Sequence, residues 1–308
     1  MSMRITTSMV QRNVLADLNS ISEKLTRSQL KASSNKEISR PSDDPFHAAQ
    51  AMALRQSLEG TRQYTSNVED GMDWADSTEQ ALNEISRAMN RARDLIVTGA
   101  SDSSDQTSRE AIAAEIEQII DGIKQTAGQT YRGSYVFSGS ETGVRPYEQG
   151  ADDSYHGDEA GLDPAIPGIV REIGPGITIT INTVGRELLG DGQAAADDKV
   201  LAVLRDAVDH LRAGDGPSLR GTDLTRLDAN VDTLLGIRAA NGARTNRLEA
   251  AQSRLQEVEE STTKQLSDVE DADIAKTLIE LNSQTAAYQA ALRAGASIVQ
   301  SSLMDFLR

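Results

Sequence analysis

Asp43 and Asp44 are the sharpest carboxylate pair in the helical part of the chain, set between Pro41 and Pro45. Two adjacent carboxylates could hold a metal or share acid–base work. Their flanks argue for a plainer role. Each proline disfavours helix at the residue before it, and Asp44 then stands where it can cap a helix that begins with Pro45. A second acidic stretch, Asp152-Asp153-Ser154-Tyr155-His156-Gly157-Asp158-Glu159, has residue types that could ligate calcium. It lacks the alternating ligands and closing glutamate of an EF-hand, so it reads as a solvated loop. Gly174-Pro175-Gly176 is not followed by Gly-Lys-Ser/Thr and reads as a tight turn rather than a phosphate loop. His47, His156 and His210 are far apart in sequence, and the absence of cysteine removes thiol nucleophiles and Cys-ligated metals. His210 falls in a leucine-rich helix as a partly exposed residue, and Trp74 reads as a packing residue. No Gly-x-Ser-x-Gly, His-Glu-x-x-His or dinucleotide fingerprint occurs. The residues thus point to no catalytic constellation, no cofactor and no metal site.

Composition narrows the classes further. The 308 residues include 31 Lys and Arg against 47 Asp and Glu, a formal charge of −16. Nucleic-acid binding needs a basic face to displace counterions, so no nucleic-acid partner is expected. No run of about 20 apolar residues is present to span a membrane, and the opening Met1–Asn13 lacks the apolar stretch of a secretory signal peptide. Aromatic residues make up only 3% of the chain, few for an enzyme that must shape a pocket. Twelve of the 23 glycines and four of the seven prolines fall between Gly133 and Gly192. They mark a loop-rich, acidic insert between two helical arms.

Val10, Val14, Leu18, Ile21 and Leu25 step by three and four, which predicts an amphipathic helix from about Thr7 to Ser34. After the proline break, Ala48, Ala51, Met52, Leu54 and Leu58 begin a helix that runs to Gly60 or further. Met72, Ala75, Leu82, Ile85, Met89, Ala92 and Ile96 make the next stripe, and Ile112, Ile116, Ile119 and Ile123 another. In the insert, Tyr135–Phe137 and Ile169–Ile173 are short strand candidates, and Ile177–Val184 alternates isoleucine with polar residues. Helix returns after Asp197, and a long helix follows from about Asp223. The final segment is the most regular: Ile274, Leu278, Leu281, Thr285, Tyr288, Leu292, Gly295, Val299 and Leu303 keep a 3.5-residue period, a coiled-coil signal.

Residues 1–40 carry seven basic against three acidic side chains, and residues 266–308 carry three against six. Net charges of +4 and −3 favour side-by-side packing of the two ends. The expected fold is mainly α with a small β-rich insert, the N- and C-terminal arms forming a long antiparallel bundle or coiled coil. Five segments are predicted: an assembly helix and linker (1–45), helical core (46–134), the insert domain (135–197), more helical core (198–265) and a C-terminal assembly helix (266–308). The assembly interface is predicted at Val14, Leu18, Ile21, Leu25, Leu278, Leu281, Leu292, Val299, Leu303 and Phe306. Without neighbours to cover those stripes, about the first 40 and last 40 residues are expected to be mobile in a monomer. The insert is expected to be self-contained.

Several segments, in order along the chain, carry a family resemblance. Met3-Arg4-Ile5-Thr6-Thr7 is one, which would make Met1-Ser2 a short extension. Leu25–Pro45 follows, with Asn35 and Glu37 where a glycine and a basic residue are usual, and ends in Pro41-Ser42-Asp43-Asp44-Pro45. Then come Trp74–Ile85, Arg91–Ile96, Gly242–Glu249, and the stretch from Asp271-Ala272-Asp273-Ile274-Ala275 to Ser302–Arg308. On these segments the chain resembles the bacterial flagellin superfamily, and within it the hook–filament junction proteins. Tyr135–Ser140, Tyr155–Asp158 and Ile173–Asn182 resemble the small β domain of those proteins. The resemblance implies a structural subunit exported unfolded through the flagellar type III apparatus, with an export chaperone, to the outside of the cell. There it would self-associate in a ring and join hook-associated protein 1 to flagellin. A minor filament flagellin is the alternative within the superfamily. A secreted helical binding protein that uses the acidic insert is the alternative outside it.

Overall fold

Asp44 does cap a helix: its Oδ1 accepts the backbone N–H groups of Phe46 and His47, each at 3.1 Å. Its Oδ2 lies 2.6 Å from His47 Nδ1, a hydrogen bond that holds the carboxyl below the usual carboxylate range. In this computed structural model, which describes residues 7–101, 104–150 and 152–306, the capped helix α2 is continuous from Pro45 to Gly99. The sequence divided that span into two stripes because residues 61–67 are almost all polar. The side chains of Thr7, Ser8, Val10, Gln11 and residues 297–306 fall outside the described set.

Met1–Gly60 and Val258–Arg308 form one unit, and Thr61–Glu257 the other. In the first, α1 (Thr7–Ser34) ends at Asn35, which adopts a left-handed φ of 56°. Asparagine tolerates that region better than most residues, so it can replace glycine at the turn. Past the turn, Glu37 N–H donates to the Glu270 carbonyl at 2.8 Å, and Ala272 N–H donates to the Asn35 carbonyl at 3.0 Å. These bonds tie the start of the connector to the junction between α7 (Leu224–Glu270) and α8 (Ile274–Phe306). From there α8 runs antiparallel to α1 and packs along it.

The second unit holds one continuous hydrophobic cluster, whose buried members lie between Val68 and Leu255. Residues 61–99 of α2 supply Leu82, Ile85, Met89 and Ile96. Helix α3 (Gln106–Ala127), capped by Asp105 on Ser108 N–H at 2.8 Å, adds Ile116, Ile120 and Ile123. The insert then begins with an antiparallel pair, β1 (Thr130–Tyr131) and β2 (Ser134–Tyr135). A second pair, β3 (Val170–Gly174) and β4 (Ile177–Thr180), carries a bulge between Glu172 and Gly174. A short α4 (Arg186–Leu189) and a 3-10 turn at Gln193–Ala195 lead to α5 (Val200–Ala213). Gly214, at a left-handed φ of 73°, ends α5, and its N–H returns to the helix carbonyls. One turn of α6 (Gly216–Ser218) and a π-helical turn at Leu219–Asp223 feed into α7.

The insert departs from its predicted form in two ways. Its strands are shorter: Val136 and Phe137 leave the ladder after β2, and Ile181–Val184 leave it after β4. Both pieces are instead buried as anchors. Nor is the insert self-contained. Phe137, Tyr147, Ile179, Ile181, Leu188 and Leu189 belong to the same buried cluster as the helices. The acidic stretch is likewise no solvated loop. Asp153 is buried and takes Lys124 Nζ on Oδ1 at 3.0 Å and Arg205 Nε on Oδ2 at 2.8 Å. Asp158 Oδ1 accepts the N–H groups of Ser140 at 2.7 Å and Ala160 at 3.1 Å. Charged residues can be buried in this way when each finds a partner, which composition alone does not reveal.

Loss of water around the ring pushes the hydroxyls of Tyr131, Tyr147 and Tyr155 above the ordinary phenol range, Tyr131 to about 12. The unfolded chain releases these protons near pH 10, while the folded chain keeps them. The folded state then binds more protons, so this contribution is complete below about pH 10 and is lost as pH rises toward 12. Tyrosinate absorbance is expected to stay incomplete above about pH 11 until helicity is lost. Full ionisation at that pH with helicity intact would contradict the assignment.

Candidate assembly surface

Val14, Leu18, Ile21 and Leu25 of α1 are all half-buried, and the stripe continues to the buried Ser28. On α8 the covered positions are Thr277, Leu281, Gln284, Thr285, Tyr288, Ala291 and Gly295, again stepping by three and four. Gly295 allows the close approach of the two helices. A Cβ there would lie 3.3 Å from Val14 Cγ1 and 3.7 Å from Leu18 Cδ1.

Two predicted interface residues are not on this seam. Leu278 and Leu292 each follow a covered position by one residue, a turn of about 100° around the helix, and are 47% and 45% exposed. Leu281 is half-buried on the seam. Val299 and Leu303, like Phe306, lie on the α8 backbone, but their side chains are outside the described residues.

The first unit has no large apolar core among its described residues. Every buried member of the hydrophobic cluster belongs to the second unit. In the first, the buried apolar residues are Ala48, Ala51, Leu58 and Ala272. Many of its large side chains are instead left in water. Leu15, Phe46, Met52, Ile274 and Ile279 are 55–75% exposed, with Leu30, Leu278 and Leu292 close behind. Sequence reasoning missed Leu15, Leu30, Phe46 and Ile279 because they stand off the main stripes. Their signal is a large apolar residue on the polar face of an otherwise regular helix.

Where the connector meets α2, a groove of about 260 Å³ opens over Ala48 and Ala51, walled by Ile38, Pro41 and Met52. Lys36, Arg40 and Arg55 stand around it with Glu270. Glu270 is buried and accepts hydrogen bonds from both Lys36 and Arg55, so its charge is compensated.

The other polar candidates are structural. Asp43 Oδ2 accepts Arg40 N–H at 3.1 Å within the connector. His210 Nδ1 lies 2.7 Å from Asp223 Oδ2, bracing α5 against the π-helical turn, and burial pushes the Asp223 carboxyl up. Trp74 is buried, edge-on to Tyr131 with ring centres 5.9 Å apart. Among the described residues no group of three or more His, Cys, Asp or Glu could hold a metal, and no helix is long and apolar enough to cross a membrane.

Comparison with known proteins supplies a context for this geometry. The bacterial flagellin N-terminal helical region matches residues 5–142, and the bacterial flagellin C-terminal helical region matches residues 224–307. The chain is 27% identical to flagellar hook-associated protein 3 of Escherichia coli (strain K12), over 95% of this chain and 96% of that protein. It is 25% identical to the protein of the same name from Salmonella typhimurium, over 99% of this chain and 100% of that one. A Clostridium tyrobutyricum flagellin is 30% identical over 46% of this chain and 38% of that protein. In fold, the chain resembles a putative flagellar hook-associated protein from Vibrio parahaemolyticus, with a TM-score of 0.62 at 21% identity, covering 74% of this chain and 100% of that one. Bacillus cereus FlgL gives 0.58, also at 21% identity, over 70% and 99%.

Proposed function

The chain belongs to the bacterial flagellin superfamily of flagellar structural proteins, and on that premise we propose that it is an adaptor subunit at the hook–filament junction. In this reading it is exported to the cell exterior through the type III apparatus, with a chaperone, and forms a ring. One side of the ring meets hook-associated protein 1 and the other meets flagellin. Residues 1–45 and 266–308 carry the assembly interface, including Val14, Leu18, Ile21, Leu25, Leu281, Val299, Leu303 and Phe306. Leu278 and Leu292 face neighbouring subunits.

One observation carries the reading: the first unit leaves many of its large apolar side chains exposed and, among the described residues, fully buries only Leu58 of them. Such a surface needs neighbours to cover it. Similarity to hook-associated protein 3 extends over at least 95% of this chain, insert included, whereas the flagellin matches span 32–46% of it. That favours the junction over the filament. A strain lacking this chain is expected to build hooks without filaments and to release unpolymerised flagellin into the medium. Filaments of normal length in that strain would contradict the proposal.

A further inference from the structure

Resting on the ring reading above, we infer that the groove over Ala48 and Ala51 receives, from a second copy of this chain, the outward face of α8 around Ile279. Charge and apolar surface are complementary between the two. The groove ends in Met52, which is 55% exposed, and carries Arg40, whose guanidinium has no ion pair among the described residues. On α8 the outermost residue is Ile279, 71% exposed, flanked about 100° to one side by the exposed carboxylate of Glu280, which likewise has no ion pair among those residues, and about 100° to the other by Leu278.

The backbone bonds joining Asn35 and Glu37 to Ala272 and Glu270 hold the groove beside the start of α8. Ile279 stands five residues into α8, about 8 Å along its axis. Copies placed side by side by rotation therefore bring the groove of one level with the Ile279 face of the next. Groove and face are different patches, so the contact is head-to-tail, which gives a ring when the rotation between copies closes.

Photo-crosslinking of the full chain in cells tests this, with a benzophenone amino acid replacing Met52 and flagella detached after irradiation. The expected product has twice the subunit mass, with the linked peptide inside residues 274–281 of a second copy. Arg40→Glu is expected to lower the yield about fivefold, and adding Glu280→Arg to restore it. Restoration excludes misfolding as the cause of the loss. An adduct with another protein, an adduct elsewhere on the second copy, or wild-type yield in Arg40→Glu overturns the contact. So does the lack of any adduct on flagella that antibody shows to carry the protein. If antibody finds no protein on flagella, the junction reading itself fails, and this contact with it.

Discussion

Truncation after Arg293 is expected to leave a folded, exportable protein that cannot retain a filament. The segment removed includes Gly295, which seats α8 against Val14 and Leu18, and Val299, Leu303 and Phe306, whose sequence spacing assigns them to the proposed assembly interface. A fully buried side chain of this kind contributes on the order of 1.5–3 kcal/mol. Burial of those three by neighbouring subunits would supply roughly 5–9 kcal/mol per subunit as an upper estimate, comparable with a micromolar contact. Among the described residues, the buried members of the hydrophobic cluster are confined to residues 68–255. The main melting transition should therefore shift by less than about 2 °C. Gly295→Leu is the matching point variant, because its side chain cannot fit between the two helices. It should reproduce the loss of filaments at full chain length. A large drop in melting temperature, or normal filaments from the truncated chain, would show that α8 only stabilises its own subunit.

Lys124→Met should be the most damaging single change to the free protein. The Lys124 side chain is fully buried, and its Nζ donates to the carbonyls of Gly150 and Asp152, each at 2.7 Å, and to Asp153 Oδ1 at 3.0 Å. Methionine fills the space but leaves the Asp152 carbonyl without its donor, leaves the Gly150 carbonyl only Arg205 at 3.2 Å, and removes one of the two cations that compensate Asp153. Breaking a buried pair by removing one partner costs about 3–5 kcal/mol. For a unit of this size that lowers the melting temperature by roughly 6–20 °C. Lys31→Met is the control. Its pair with the exposed Glu37 lies at the surface, and its loss should cost less than about 1 kcal/mol. Equal melting of the two variants would mean that Lys124 does not pin the insert to the helices.

The helical arms were legible because their apolar residues keep a helical period and their ends carry punctuation. Thr7–Ser34, the Asp44 cap and the α8 start at Ile274 all follow from such local signals. What escaped depended on partners distant in sequence. Asp153 looks like a solvated acid until Lys124 and Arg205, 29 and 52 residues away, are brought to it by the fold. Leu278 and Leu292 have heptad spacing with Leu281, yet Thr277 and Ala291, each one residue earlier, take the covered positions. A stripe wide enough to hold two rows does not say which row the partner helix will cover. The row left in water is the one that leads to the assembly proposal.

Immunogold labelling of purified flagella tests directly whether this chain is a junction subunit built to be covered by neighbours. Antibody against the full chain should mark one short band where hook meets filament, on every filament that carries its hook. Label distributed along the filament would contradict that role and identify the chain as a filament flagellin instead.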